Sequence, residues 1–163
     1  MKLECLRMPG TDRTLNFISP YLGQRHVQAG LEECIRTAYG MYCLFSRILD
    51  GYFRLYGVFD VDEPVDFLGF VFGHRDGETF EVHACWNRHV PTVKCSELAI
   101  ECMVRDYADE GIAIRYIAGY IPDKNKAAQL YAKRSGFADC GLQDDKLFDG
   151  QYPCRKFLYK VEV

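Results

Sequence analysis

Hydrophobic and polar positions alternate with a period of two from Tyr52 to Trp86, and on both sides of that stretch the period lengthens to that of a helix. Leu3–Arg7 reads as a short strand, and Pro9-Gly10 as a turn. Thr11 or Asp12 can cap a helix that begins at Arg13 and carries Leu15, Ile18 and Leu22, with Pro20 interrupting it. A second helix places Leu31, Cys34, Ile35 and Ala38 on one face and Glu32, Glu33 and Arg36 on the other, and Gly40 closes it. Met41–Leu49 fits helix and strand equally. Then come three strands, Tyr52–Val61, Val65–His74 and Thr79–Trp86, joined by turns at Asp62-Glu63-Pro64 and Arg75-Asp76-Gly77-Glu78. Ser96 can cap the next helix, which lines up Ile100, Met103, Val104 and Tyr107. Arg115–Ile121 is a strand that Pro122 ends, because proline cannot donate to a ladder. Asp123 or Asn125 caps a short helix with Ala127, Leu130, Tyr131 and Arg134 along one side, and Gly136 stops it. Phe137 begins another extended segment, and Arg155–Val163 supplies the last strand.

Composition changes this picture little. At 163 residues and 48% hydrophobic, the chain is expected to be one domain, residues 1–163, with a sizeable core. A net charge of −3 leaves no basic excess to neutralise phosphates, so nucleic acid is not an expected partner. Neither a signal peptide nor an apolar run of membrane length is present; no membrane association is expected, and cytoplasm is the expected compartment. The eight cysteines are scattered, without a CxxC, and read as reduced thiols, mostly in the core.

The stretch Ile114–Gly141 carries a more specific signal. A strand is followed by Asn125, by Ala128 three residues on, and by Gly136-Phe137 eleven and twelve residues after the asparagine. This spacing resembles the C-terminal half of the GNAT superfamily, the acyl-CoA-dependent N-acyltransferases. The order of elements, two helices, a meander and then αβαβ, is similar to that family over most of the chain. The resemblance implies an α+β, three-layer fold: a mixed, mainly antiparallel sheet with helices on both faces. It also implies that Thr79–Trp86 and Arg115–Ile121 are parallel neighbours that splay apart. It implies acetyl-CoA as co-substrate and an amine as acceptor, and it allows a homodimer.

In that family the strand before the central helix carries the acyl group, and a glycine-rich loop after it cradles the pyrophosphate. Here Trp86, Asn87 and Arg88 lead through His89, Val90, Pro91, Thr92 and Val93 to Lys94, Cys95 and Ser96, and no glycine lies between Gly77 and Gly111. The chain departs from the signature, and the side chains in the loop predict a looser fit to CoA. The resemblance nonetheless assigns cofactor contacts to this stretch. Backbone donors at Cys85, Trp86 and Asn87 would polarise the thioester carbonyl. Cations at Arg88 or Lys94 and amides from Val93 to Glu97, those of Cys95 and Ser96 among them, would meet the phosphates. Asn125 would hold the pantetheine arm or cap its own helix.

Strand alternation puts Glu81, His83 and Cys85 on one face and Phe80, Val82, Ala84 and Trp86 on the other. A polar face on a central strand needs partners or lines a cavity. Glu81 is the first candidate for the base that deprotonates the amine, and His83 is the reserve. Tyr131 is a candidate donor to the leaving thiolate. The family places that tyrosine seven residues after the asparagine, which here is Ala132, so Tyr131 sits ~100° round the helix and reads equally as a core or rim aromatic beside Leu130.

Two readings from other classes complete the set. Proteins of tailed phages and prophages related to the GNAT fold also lack the glycine signature. The resemblance to them implies a scaffold or partner-binding role. His83, Cys85, His89 and Cys95 lie close in sequence, but their order matches no zinc spacing, and no metal site is expected.

Overall fold

The computed structural model describes residues 1–24 and 38–162. The helix expected around Leu31, Cys34 and Ile35 lies outside the described residues, apart from Ala38. The elements are β1 (Leu3–Met8), α1 (Asp12–Leu22), α2 (Ala38–Leu49), β2 (Arg54–Asp60), β3 (Asp66–Asp76), β4 (Thr79–Trp86), α3 (Thr92–Asp109), β5 (Tyr116–Pro122), α4 (Lys126–Arg134), β6 (Ala138–Phe148) and β7 (Tyr152–Lys160). The seven strands form one sheet in the order β1-β2-β3-β4-β5-β7-β6. Every neighbouring pair is antiparallel except β4 and β5, which are parallel. The mixed, mainly antiparallel α+β fold is therefore the one expected, including the two parallel neighbours.

Each face of the sheet has its own core. Against α1 and α2 it packs Leu55, Phe67, Phe70 and Phe72, which meet Leu15, Ile18, Leu22, Leu44 and Ile48. Against α3 it packs Tyr56, Val58, Leu68, Val71 and Phe80, which meet Cys95, Ala99, Met103 and Tyr107. Strand β3 is hydrophobic on both sides because it has helices on both sides.

Three local expectations change. Gly40 lies inside α2 rather than closing a helix, so Met41–Leu49 is helical; Leu44 and Ile48, four apart, both turn inward. Pro20 does not end α1, since in the last turn it removes only one backbone bond. Ser96 does not cap α3. The helix starts four residues earlier at Thr92, with Pro91 at the capping position and no side chain bonded there. By contrast Thr11 caps α1 through Thr14 N, and Asn125 caps α4 through Ala128 N at 3.1 Å. Gly136 ends α4 in the left-handed region at φ 90°. Its N–H donates to Lys133 O and that of Phe137 to Ala132 O, the paired bonds of a Schellman ending.

One ionic cluster fixes α3 against the outer strands. Arg54 donates to Asp106 at 3.0 Å and to Glu110 at 2.5 Å, and its guanidinium lies 3.9 Å from the centre of the Tyr107 ring. Tyr56 donates to the same Asp106 at 2.7 Å, and Arg7 reaches it at 3.3 Å. Burial works against ionisation of Asp106, but the Tyr56 hydroxyl and the two guanidiniums hold its carboxyl below the usual carboxylate range. A lowered carboxylate contributes stability above its unfolded pKa and loses it as pH falls through the folded one. Asp106→Ala should therefore destabilise the chain by about 1.5–3 kcal/mol at neutral pH and flatten the loss of stability below about pH 4. Urea unfolding at pH 7 and pH 3 measures both.

Candidate active site

Three residue pairs join β4 to β5: Thr79 with Tyr116, Phe80 with Ile117, and Glu81 with Ala118. Beyond them the strands part. On its far side β5 stays paired with β7 as far as Pro122, while β4 stays paired with β3 as far as Trp86. The gap between the two is a cleft of about 590 Å³. His83 and Cys85 from one face of β4 line it together with Val82, Ala84 and Trp86 from the other, so it passes from one side of the sheet to the other. The remaining walls come from α3, from α4 and from β5 between Gly119 and Pro122.

The open edge of β4 carries backbone groups with no strand to pair with. Asn87 N donates to Leu68 O at 2.9 Å, so odd-numbered residues of β4 bond to β3 and even-numbered ones turn to the cleft. The amide of Ala84 therefore faces the cleft. The donors expected at Cys85 and Asn87 point the other way. Asn87 is doubly committed, because its side-chain amide also donates to Phe67 O at 2.6 Å. These bonds tie the end of β4 to β3 and turn the Asn87 backbone N–H away from the cleft.

At the wide end stands the start of α3. The first amide to find a helical acceptor is that of Cys95, on Pro91 O at 3.0 Å, so those of Thr92, Val93 and Lys94 precede the ladder. Thr92 lines the cleft. The amides without a helical acceptor are thus those of Thr92–Lys94, while Cys95 and Ser96 lie inside the helix. Cys95 is fully buried in the α3 core, and burial pushes its thiol up to about 11. Arg88 and Lys94 are exposed and do not line the cleft, and neither makes an ion pair with a described residue. The loop still needs a left-handed residue, and His89 supplies it at φ 62°, where a glycine would be usual.

Ser96 belongs to another group. The Tyr131 hydroxyl accepts from Trp86 Nε1 at 2.7 Å and is hydrogen-bonded to Ser96 Oγ. Burial raises the phenol above its usual range, and the Ser96 and Trp86 bonds act against that. All three residues line the cleft, so the tyrosine that motif spacing could not assign has its hydroxyl there. Gly69, at φ 136°, gives the indole its space: a Cβ there would fall on Cys85 O and the Trp86 ring. Asn125 also lines the cleft, but its side-chain oxygen caps α4.

On the α1–α2 side, Glu81 lies beside His74 at 3.9 Å and Lys146 at 4.0 Å, and Lys146 sits 4.6 Å from the centre of the Tyr120 ring. His83 stacks on Phe72 with ring centres 5.0 Å apart and opens to the cleft. Its ring is exposed in the cleft, yet the protein packed around it lowers its pKa below the usual 6.5, while Glu81 acts in the opposite sense. Cys85 is buried and its thiol is pushed up to about 12, so it is not a nucleophile near neutral pH. Cys95 is on the opposite side of the sheet from His83 and Cys85, and no cluster of three or more metal-ligating residues forms among the described residues.

The sequence reading missed His74 and Lys146. The first was within reach, since a two-residue turn at Gly77-Glu78 sets the register that pairs His74 with Glu81 and Phe72 with His83. Lys146 comes from β6 and had no local signal.

Tyr131→Phe removes the acceptor of the indole N–H of Trp86, the single tryptophan of the chain. We expect its fluorescence emission to move to shorter wavelength and stability to fall by about 1–3 kcal/mol. An unchanged spectrum and midpoint would show that this bond is not made.

No protein-family model and no curated protein sequence matches the chain. Solved structures do. The acetyl transferase of Salmonella typhimurium that modifies the N-terminal serine of 50S ribosomal subunit protein L7/L12 aligns with a TM-score of 0.70 and 10% identity, over 99% of this chain and 100% of that one. Spermidine N-acetyltransferase from Vibrio cholerae, in complex with CoA and spermine, aligns at 0.69 with 14% identity, over 97% and 95%. The microcin C7 self immunity acetyltransferase, in complex with acetyl-CoA and AMP, aligns at 0.68 with 12% identity, over 97% and 93%. At these identities the likeness is one of fold. Among the described residues, no helix is long and apolar enough to cross a membrane.

Proposed function

We propose, from a fold that is that of the GNAT N-acyltransferases, that this chain moves an acetyl group from acetyl-CoA to an amine. The observation that carries the reading is the continuity of the cleft. One opening runs from the uncapped start of α3, past the edge of β4, to the His83 imidazole on the far side of the sheet. The structural neighbours in complex with CoA or acetyl-CoA have the same fold, which supports the reading without assigning any residue.

The residues fit an acyl-CoA in three ways. Amides at Thr92–Lys94, with Arg88 and Lys94 beside them, suit a pyrophosphate. The apolar walls suit a pantetheine arm. The Ala84 amide suits a thioester carbonyl and the negative charge it gathers in the transition state. When bound, acetyl-CoA supplies the activated acyl group.

The proton chemistry reverses the order given by the sequence. Glu81 lies beside Lys146 and His74 and does not line the cleft, whereas His83 does. His83 is neutral at physiological pH, opens to the cleft, and becomes the base for the amine, with Glu81 placed to steady the imidazolium. Tyr131 is the donor for the leaving thiolate, its proton shared through Ser96. Because Cys85 is held protonated, the amine attacks the thioester directly and no acyl group passes through the protein.

A second reading has an observation of its own. The loop before α3 has a proline where it could donate and no glycine anywhere. On that reading the fold serves as a scaffold or partner-binding module, as in proteins of phage or prophage origin, and does not bind CoA. Calorimetry with CoA and acetyl-CoA separates the two. We expect saturable 1:1 binding, weakened by removing Arg88 and Lys94 together; absence of heat with either ligand favours the scaffold.

The base has its own test. A histidine with a lowered pKa loses its free lone pair only below about pH 6.5. The rate should be level from neutrality upward and fall on the acid side. His83→Gln should cut kcat by about 10²–10⁴ and abolish that acid limb while CoA still binds. Thiol release from acetyl-CoA, followed against pH over a panel of amines, is the measurement. An acid limb that survives in the variant assigns the proton elsewhere.

A further inference from the structure

Away from the cleft, edge strand β1 and helix α3 bring together two sulfurs that are 97 residues apart in sequence. Cys5 is half-buried on the side of β1 that packs into the α3 core, and Cys102 is 8% exposed in the middle of that helix. The Cys102 thiol donates to the carbonyl oxygen of Cys5 at 3.5 Å, and the Cys5 side chain packs into the same core. Nothing in the acyl-transfer reading uses either residue.

The surroundings make the two sulfurs unequal. The neighbouring Cys5 and the Arg105 guanidinium lower the Cys102 pKa, against burial and the Asp106 carboxylate. Cys5 is pushed up by its neighbour Cys102 and by burial. A thiolate beside a thiol is the arrangement that oxidation to a disulfide requires: one sulfur attacks the oxidant and the other resolves the product.

We infer that Cys5 and Cys102 are a dithiol–disulfide couple, an oxidation site with hydrogen peroxide as its electron acceptor. In the first step the Cys102 thiolate attacks one peroxide oxygen, the O–O bond breaks, and Cys102 becomes a sulfenic acid as the displaced hydroxide takes up a proton to leave as water. In the second, the Cys5 sulfur attacks that of Cys102, the S–O bond breaks, and the hydroxyl leaves with the Cys5 proton as a second water. Two thiols lose two electrons and two protons, and the peroxide gains both. The bond ties β1 to α3 across nearly a hundred residues, a closure that restricts the unfolded chain far more than the folded one.

The test uses the full chain. It is treated with one equivalent of hydrogen peroxide, alkylated under denaturing conditions, and digested without reductant. We expect the thiol count to fall by two, a linked peptide joining Cys5 to Cys102, a raised thermal midpoint, and reversal of all three by dithiothreitol. In Cys5→Ser, whose fold is checked by its melting in reducing buffer, the link should be absent and Cys102 should be trapped by dimedone as the sulfenic acid. In Cys102→Ser neither product should form. Eight free thiols after treatment, or a link that joins any other pair, overturns the assignment, as does dimedone labelling of Cys5 in place of Cys102 in the single variants.

Discussion

Everything at the cleft depends on where β4 stops pairing with β5. Each strand keeps its other neighbour, so the sheet cannot close the gap without breaking the β3–β4 or the β5–β7 ladder. A bare strand edge inside a protein is costly unless something satisfies it. The structure holds that edge open between two cores that share only the sheet: one wedges α1 and α2 against one side and the other seats α3 on the reverse. The Arg54–Asp106–Tyr56 cluster fixes the far half of α3, so the near half, with its unpaired amides, stays aimed at the opening.

The fold was legible for a physical reason. Alternation over Tyr52–Trp86, an Asn125 that caps and a Gly136 that terminates are local signals, and each is met by a local bond in the structure. The start of α3 was not legible in the same way. Ser96 has the right chemistry for a cap, but it sits a turn inside the helix because Tyr131, 35 residues later, takes its hydroxyl. Pro91 suits the beginning of a helix equally well, and only the tertiary contact decides between the two.

The two faces of β4 show the same limit for function. Parity alone sorted Glu81, His83 and Cys85 from Val82, Ala84 and Trp86, and the structure agrees. Which of the polar residues opens to the cleft was beyond parity. Glu81 instead lies beside Lys146 on β6 and His74 on β3, the first distant in sequence and visible only once the sheet is assembled. Likewise parity could not say which amides face the opening until Asn87 N was seen to donate to Leu68 O.

Pro91 and the left-handed His89 have a consequence for the thermodynamics of any anion that settles at the start of α3. A glycine loop fits closely but is floppy when empty, and ordering it opposes binding. Here the proline ring fixes one φ, and Cβ atoms at the flanking positions narrow the rest, so the loop is pre-organised before anything arrives. Contact enthalpy is smaller and the entropic penalty is smaller with it. Affinity in such a site should change less with temperature than in a glycine-lined one, and binding should leave the motions of the loop almost as they were.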